Sequence, residues 1–280
     1  MTGFFPSGST RLFPVVGDPV AQVRSPDAIT RILVDRGLDA VVVPLHVPIA
    51  DIAELLGALS KVRNVGGVLV TVPHKRATLS LCATTTERAA FAEAVNVLRR
   101  TESGWHGDNT DGLGYVSGIE QEGFTVAGKR ALLVGCGGAG SAIALELLER
   151  GAALLAIHDV DVSRRDDILA RLGVRFPGRV VAGSADPSGF DFVANATPMG
   201  MSAGDPPPVD LDKLQPWQFV ACVVTKPEVP LLILAARRLG CRTMTGTGMF
   251  DAQAETLADF LLGEGSGRAF SAGQDMSFVS

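Results

Sequence analysis

Apolar and polar positions along the chain form two series of short apolar runs that alternate with amphipathic segments. In the first series, strands are predicted over 11–16, 40–47 and 66–72, and helices over 26–37 and 51–62. In the second series, strands are predicted over 130–134, 153–159, 179–184, 191–197 and 219–224, and helices over 141–151, 163–173 and 229–240. This alternation predicts an α/β protein with two domains, each built on a parallel sheet with helical crossovers.

The joint between the two series is expected near residues 104–110, in the sequence GWHGDNTDG. We predict an N-terminal domain over 1–107 with a mostly parallel sheet, and a second domain over 108–247. A last helix, at about 248–262, falls outside the second series and is expected to pack on the first domain. The Gly- and Ser-rich tail, 264–280, is expected to be loosely held.

Composition narrows the class of protein. The 280 residues are 46% hydrophobic and 20% charged, as in a compact folded chain, and the net charge of −5 provides no basic surface for nucleic acid. No apolar run is long enough to span a membrane, and the N-terminus does not resemble a signal peptide. The four cysteines are widely spaced without a CxxC pair, which disfavours a zinc site and fits a reducing compartment. We therefore expect a cytoplasmic protein with a small-molecule partner, no nucleic acid, no membrane and no metal.

The sequence GCGGAG at 135–140 follows an apolar strand and precedes a helix. It fits the pattern G-x-G-x-x-G, in which Gly135 permits a tight turn, Gly137 lets a pyrophosphate approach the backbone, and Gly140 allows close packing of helix on strand. The helix N-terminus then favours the phosphates. This context predicts dinucleotide binding, and the alternative is a purely structural turn.

An acidic residue, Asp159, ends the next predicted strand, where such a group bonds to ribose hydroxyls. Asp161 follows, and two carboxylates would repel the 2′-phosphate of NADP, so NAD is the predicted cofactor and NADP the less favoured one. Arg164 and Arg165 leave an alternative open, because either side chain could reach such a phosphate or lie in solvent.

The predicted strand LVTVPHK at 69–75 ends on a cation, Lys75. It is either a solvated charge at a turn or a group that handles a proton. Asp111, in NTDG, is either a helix N-cap or a catalytic carboxylate. His74 and His106 lack partners at metal-ligand spacing, which favours local hydrogen bonding.

Seven stretches in this order resemble the shikimate dehydrogenase family, including its quinate-using members. They are GDPVAQVRSP (17–26), VTVPHK (70–75), AVN (94–96), NTDGLG (109–114), GCGGAG (135–140), NATPMGM (195–201) and GMFDAQA (248–254). The resemblance covers nearly the whole chain. It implies an N-terminal substrate domain, a C-terminal Rossmann-like NAD(P)-binding domain, and reversible hydride transfer at a ring hydroxyl.

The resemblance also implies roles for individual residues. Lys75 and Asp111 match the catalytic pair. Substrate-binding positions are matched by Ser25, Thr71, Asn96 and Gln253. Cofactor-binding positions are matched by Gly135, Gly137, Gly138, Ala139, Gly140, Asp159, Asn195, Ala196, Thr197, Gly246 and Met249. Burial would favour a neutral Lys75 amine and a nearby carboxylate would favour the ammonium, so which member of the pair carries the proton stays open.

Two positions depart from the pattern. Val23 stands where the resemblance implies a serine that binds the substrate carboxylate, and Val224 where it implies a tyrosine. Arg24 could replace the lost contact or lie in solvent. We therefore predict an NAD-dependent dehydrogenase for shikimate, quinate or a related cyclic hydroxy acid, acting as a monomer or homodimer. The alternatives are a dehydrogenase for an amino-substituted analogue and a non-catalytic NAD(H) sensor of the same fold.

Overall fold

A computed structural model describes residues 5–264 and the backbone of residues 269–271. The chain divides into two compact units, Met1–Asn109 together with Glu255–Ser280, and Thr110–Ala254. The strands are β1 (Arg11–Gly17), β2 (Ala40–His46), β3 (Gly67–Val70), β4 (Thr84–Thr86), β5 (Val97–Thr101), β6 (Gly104–Asp108), β7 (Arg130–Val134), β8 (Leu154–His158), β9 (Val180–Ala182), β10 (Phe192–Asn195), β11 (Phe219–Cys222), β12 (Arg242–Met244) and β13 (Ala269–Ser271). The helices are α1 (Ser25–Asp35), α2 (Ile52–Leu59), α3 (Lys75–Leu79), α4 (Glu87–Ala92), α5 (Asp111–Gln121), α6 (Gly138–Glu149), α7 (Val162–Arg175), α8 (Leu231–Leu239) and α9 (Gly246–Leu262).

The first unit is built on a mixed sheet with the strand order β13-β4-β6-β5-β3-β1-β2. Parallel pairing is confirmed for β1 with β2 and β3, and β4 also pairs with β6 in parallel. The β5–β6 hairpin, the β3–β5 pair and the β13–β4 pair are antiparallel. Apolar side chains such as Val16, Val68 and Leu98 form its core against α2, because burying them removes roughly 25 cal/mol of unfavourable hydration per Å².

The second unit contains a sheet of the order β12-β11-β10-β7-β8-β9, in which every described pair is parallel. This is the doubly wound order of a Rossmann fold, whose strand order reverses between β7 and β10. The central strands β7, β10 and β11 are almost wholly buried, whereas the edge strand β9 is largely exposed. Leu132, Val193 and Val220 lie in a core that α8 covers through Leu232 and Ile233. The predicted α/β class and the Rossmann-like second domain are confirmed.

The units divide after Asn109, inside the range 104–110 where the joint is expected. Most of that range is not a linker, because Gly104–Asp108 forms β6 inside the first sheet. The last helix begins at Gly246 rather than 248, and only its portion from Glu255 belongs to the first unit. There Arg36, at the end of α1, pairs with Glu255 and Asp259, the latter at 2.7 Å.

The predicted loose tail lies mostly outside the described residues. The exception is β13, whose backbone pairs with β4. Within the part of the chain that the structure describes, no helix is both long and apolar enough to cross a membrane.

Candidate functional site

The glycine loop lies at the carboxyl end of β7, where the strand order of the second sheet reverses. Gly135 has a φ of +91°, a conformation that favours glycine. A Cβ at Gly140 would collide with the carbonyl oxygen of Gly135, so the start of α6 packs directly on the loop. A Cβ at Gly137 would meet nothing within 4 Å. The loop therefore leaves open space beside Gly137 at the start of α6, which has no side-chain cap. Gly138 and Ala139 form the first turn of that helix, as the dinucleotide prediction requires.

A second loop, Asn195–Gly200, leaves the adjacent strand β10 and touches the glycine loop. The N–H of Ala196 donates to the carbonyl of Val134 at 2.8 Å, and a Cβ at Gly135 would lie 2.6 Å from Cγ2 of Thr197. The Asn195 side chain is fully buried. Its Oδ1 accepts from the N–H and hydroxyl of Thr197, at 3.0 and 2.6 Å. Its Nδ2 donates to the carbonyl of Met199 at 3.3 Å. Asn195 thus shapes this loop from inside.

Asp159 follows β8 and is held by the glycine loop. Its Oδ2 accepts from the N–H of Cys136 at 2.8 Å and lies 3.3 Å from the Cys136 Sγ, while its Oδ1 accepts from the N–H of Asp161 at 2.9 Å. Burial by itself raises the pKa of Asp159, but these donors outweigh it and hold the pKa below its ordinary value. Asp159 is therefore ionised at neutral pH. Sequence reasoning missed Cys136, for which the only available signal was its place inside the loop.

Arg164 lies between two carboxylates in the first turn of α7. Its guanidinium is 3.0 Å from Oδ2 of Asp161 and 3.6 Å from Oδ1 of Asp159. Asp161 also caps the helix, because its Oδ1 accepts from the N–H of Arg164 at 3.0 Å. Arg165 pairs with the neighbouring Asp166 at 2.8 Å. Both arginines are thus engaged with carboxylates.

Gly246 and Met249 belong to the first turn of α9. A Cβ at Gly246 would lie 2.5 Å from the carbonyl oxygen of Val223 and would collide with that of Val224, so the helix start presses on this backbone. Val224 is buried in the core of the second unit. The structure thus shows a packing role for Gly246, and Met249 is buried beside it.

In the first unit, backbone hydrogen bonds bring Thr71, Lys75 and Asn96 to one edge of the sheet. Thr71 follows β3, and its N–H donates to Val16 at 2.9 Å. The carbonyl of Asn96 accepts from Val70 at 2.7 Å. The carbonyl of Lys75 accepts from the N–H of Val95, one residue before Asn96, at 2.8 Å. Lys75 begins α3 and is half-buried, so it is not a fully solvated charge. Ser25 is buried at the start of α1.

In the second unit, Asp111 and Gln253 meet. Asp111 begins α5 and is buried, and the N-cap position belongs to Thr110, so the capping alternative for Asp111 is wrong. Gln253, on α9, donates from Nε2 to the Thr110 hydroxyl at 2.7 Å and to Oδ1 of Asp111 at 3.3 Å. A carboxylate so placed accepts hydrogen bonds and can exchange a proton with a bound hydroxyl. Sequence reasoning did not single out Thr110.

The two histidines make the local contacts that the sequence favoured. Nε2 of the buried His74 donates to the carbonyl of Val47 at 2.8 Å, and Nδ1 of His106 lies 2.8 Å from the Thr84 hydroxyl. Among the described residues, no group of three or more His, Cys, Asp or Glu side chains could hold a metal ion.

Known proteins resemble this chain over nearly its whole length. A model of the shikimate dehydrogenase substrate binding domain matches residues 15–98. A shikimate dehydrogenase (NADP(+)) of Geobacter sulfurreducens is 34% identical over 269 residues, which cover 92% of this chain and 93% of that protein. The chain belongs to the shikimate dehydrogenase family. Its predicted class, an oxidoreductase, is confirmed with the family.

Two solved structures extend the comparison within the shikimate dehydrogenase fold. A quinate dehydrogenase of Corynebacterium glutamicum in complex with NAD is 29% identical, with a TM-score of 0.80 over 91% of this chain and 94% of that one. A 5-ketofructose reductase of Gluconobacter sp. strain CHM43 is 30% identical, with a TM-score of 0.78 over 93% and 94%. Proteins with different named substrates therefore share this fold.

Proposed function

We propose that this protein reversibly transfers a hydride between a ring hydroxyl of shikimate, quinate or a related cyclic hydroxy acid and NAD. The observation that carries the proposal is that the chain retains both residues matching the family's catalytic pair and all three residues matching its hydroxyl-binding positions, although Val23 and Val224 depart from the pattern. In the first unit, Thr71, Lys75 and Asn96 lie at one edge of the sheet. In the second unit, Gln253 contacts Asp111 at the start of α5. A sensor without chemistry would not need all of these groups.

Oxidation of a secondary alcohol separates a hydride and a proton. A bound nicotinamide would supply the hydride acceptor. The chain must then take the hydroxyl proton, and we assign this role to Lys75 and Asp111, the residues that match the family's catalytic pair. Thr71, Asn96 and Gln253 supply hydroxyl and amide groups that would orient the ring hydroxyls. In the reverse direction, the same pair returns the proton to the developing alkoxide.

The proposed preference for NAD rests on charge. Asp159, Asp161 and Arg164 together carry a net charge of −1, from two carboxylates and one guanidinium. A 2′-phosphate would add about two negative charges beside them. The relative from Geobacter sulfurreducens bears NADP(+) in its name, whereas the quinate dehydrogenase structure holds NAD. The local charges of this chain favour NAD, the dinucleotide in the quinate dehydrogenase structure.

A second candidate substrate is a neutral keto sugar or polyol, which lacks the carboxylate of shikimate and quinate. Val23 and Val224 remove a hydroxyl and a phenol that the family resemblance implies for substrate binding, and Val224 is instead buried in the core. A relative of similar identity is a 5-ketofructose reductase. A neutral keto sugar or polyol would lose nothing from the absent serine, whereas an acid would lose a charge-assisted hydrogen bond, roughly ten- to hundred-fold in affinity.

The test is turnover of NAD and NADP with shikimate, quinate and an amino-substituted analogue, and turnover of NADH and NADPH with 5-ketofructose. The wild type is compared with Lys75→Ala and with a control at the exposed Lys61, Lys61→Ala. Loss of turnover in Lys75→Ala alone supports the dehydrogenase. Tight NAD binding without turnover of any substrate contradicts it and supports the sensor. Light scattering on the same preparations tests the proposed monomer or homodimer.

A further inference from the structure

The side-chain amide of Gln253 is held by two acceptors at the start of α5. Gln253 lies on α9 and is 5% exposed. Its Nε2 donates to the Thr110 hydroxyl at 2.7 Å and to Oδ1 of Asp111 at 3.3 Å. An amide nitrogen carries two hydrogens, so each of these acceptors can take one. Both N–H groups of Gln253 are therefore engaged within the protein.

The oxygen of the same amide is not engaged in this way. Within the part of the chain that the structure describes, no group donates a hydrogen bond to Oε1 of Gln253. Oε1 is also not one of the fully enclosed, unpaired polar atoms of that part, so it keeps some exposure. A polar atom on so buried a side chain needs a hydrogen-bond partner. A bound ligand with an O–H or N–H group would supply it.

We propose that Thr110 is a positioning residue for substrate recognition. Together with Asp111, its hydroxyl engages both N–H groups of Gln253, so the amide offers the substrate only an acceptor oxygen. The substrate group at this point must then be a hydrogen-bond donor, a hydroxyl or an amine. The inference rests on the proposed function, in which Gln253 orients a ring hydroxyl. It adds the polarity of that contact and the residue that maintains it.

Asp111 and Thr110 make different contributions to this arrangement. An ionised carboxylate accepts hydrogen bonds and donates none, so Asp111 requires the nitrogen of the amide, and not the oxygen, to face it. The Thr110 hydroxyl can donate or accept, but it makes the shorter of the two contacts and holds the amide in place. Without this hydroxyl, one N–H group of Gln253 would be released and could turn toward the substrate.

This polarity predicts which ring substituents the protein accepts. A site built around a hydrogen bond discriminates strongly against an analogue that cannot form it, because a buried polar group is then left unpaired. A hydroxyl or amino group satisfies Oε1 of Gln253, whereas a fluorine or an ether oxygen has no hydrogen to donate. Thr110 therefore contributes to selectivity through Gln253 rather than through a contact of its own.

The first experiment is a double-mutant cycle on the substrate that the wild type turns over best. It compares kcat and KM of Thr110→Val, Gln253→Leu and the double variant, with Thr110→Ser as the matched control that keeps the hydroxyl. Thr110→Val should raise KM by roughly two- to tenfold, the scale of one neutral hydrogen bond, with a smaller change in kcat and unchanged NAD binding. Thr110→Ser should stay close to the wild type. In the Gln253→Leu background, Thr110→Val should change KM by less than about twofold.

The second experiment tests the polarity of the contact. Deoxyfluoro analogues of the same substrate, one for each ring hydroxyl, are measured as competitive inhibitors. For the analogue that replaces the hydroxyl at Gln253, the wild type should bind at least about tenfold more weakly than it binds the parent compound. Thr110→Val should reduce this ratio, because a released N–H group can approach the fluorine, and Thr110→Ser should preserve it.

Three results would overturn the inference. The first is a wild-type KM in Thr110→Val, or in Thr110→Ala if the valine variant fails to fold. The second is an effect of Thr110→Val that persists in full in the Gln253→Leu background, since Thr110 would then act independently of the amide. The third is a set of fluoro analogues whose binding ratios do not respond to Thr110→Val. A wild type that turns over none of the substrates would instead contradict the proposed function itself, so the two failures are distinguishable.

Discussion

Nε2 of Gln253 lies 3.3 Å from Oδ1 of Asp111, with both side chains buried in the second unit. The same nitrogen donates to the Thr110 hydroxyl at 2.7 Å. A Cβ at Gly114 would lie 2.5 Å from that of Gln253, so α9 and α5 meet closely at this point. The amide is thus fixed as a donor toward the carboxylate that we place in the catalytic pair.

Replacement of Gln253 tests this contact. Gln253→Leu removes the donor at similar volume, and a lost hydrogen bond to a charged group costs about 1.5–3 kcal/mol. We expect kcat/KM to fall by roughly ten- to hundred-fold with NAD binding nearly unchanged. Gln253→Asn, which keeps the amide on a shorter chain, should lose less. Equal activity of Gln253→Leu and wild type would show that this contact does not serve the reaction.

Alanine substitutions at two glycines of the dinucleotide loop should have different effects, one on dinucleotide binding and the other on stability. Gly137→Ala meets no atom within 4 Å at a φ of −66°, so the free protein should keep its melting temperature while dinucleotide binding weakens. Gly140→Ala would force a methyl group against the Gly135 carbonyl, which costs about 1–3 kcal/mol as overpacking. Thermal melting and NAD titration of both variants provide the check. If both variants lowered the melting temperature equally, the open space beside Gly137 would no longer support a role for this glycine in dinucleotide binding.

Much of this architecture follows from local sequence. The run ALLV before GCGGAG and the Asp159 that follows the next strand are short-range signals, and they locate β7, the loop and β8 to within one or two residues. The prediction was weakest where tertiary contacts decide. The segment GWHGDNTDG contains glycines and polar residues typical of a linker, yet Gly104–Asp108 is a strand because β5 and β4 pair with it on both sides.

In the candidate site, too, local sequence predicts some features and tertiary contacts decide the others. The identities of Lys75, Asp111 and Gln253 came from their motifs, but their partners did not. Thr110 and Cys136 join the site through contacts between distant segments, such as the bond from Gln253 to Thr110. No periodicity in the sequence reports such contacts. The cofactor-binding role expected for Asn195 stays a prediction. Its side chain bonds to Thr197 and Met199 in its own loop and to Sγ of Cys222 on β11.

His106 should make the first unit sensitive to acid. Burial, and then the Arg99 guanidinium, hold the pKa of His106 below its ordinary value of about 6.5. The unfolded chain therefore binds this proton more readily than the folded one, so the contribution is intact above about pH 6.5 and declines as the pH falls toward the lower folded pKa. His106→Asn, which keeps a polar atom toward Thr84, should flatten this decline.

The measurement is urea unfolding at several pH values between about 7.5 and about 5, with tryptophan fluorescence as the signal of unfolding. The chain has two tryptophans, and a Trp217→Phe background leaves Trp105, which is buried in the first unit, as the reporter. The wild type should lose stability more steeply with acid than His106→Asn. If the free energy of unfolding of the two proteins fell in parallel with pH, His106 would be excluded as the cause of the acid sensitivity.

The loop after β10 should bind cofactor more weakly when its internal hydrogen bonds are removed. The Thr197 hydroxyl donates to Oδ1 of Asn195 at 2.6 Å and accepts from the N–H of Met199 at 3.1 Å. Thr197→Val removes both bonds at nearly constant volume, and each neutral bond contributes about 0.5–1.5 kcal/mol. We expect the dissociation constant of NAD to rise by roughly tenfold. Thr197→Ser keeps the hydroxyl and should bind nearly as the wild type does, which separates the bond from the methyl group. If the serine variant is as weak as the valine variant, the methyl contact with the glycine loop, rather than the hydrogen-bonded shape of the loop, governs cofactor binding.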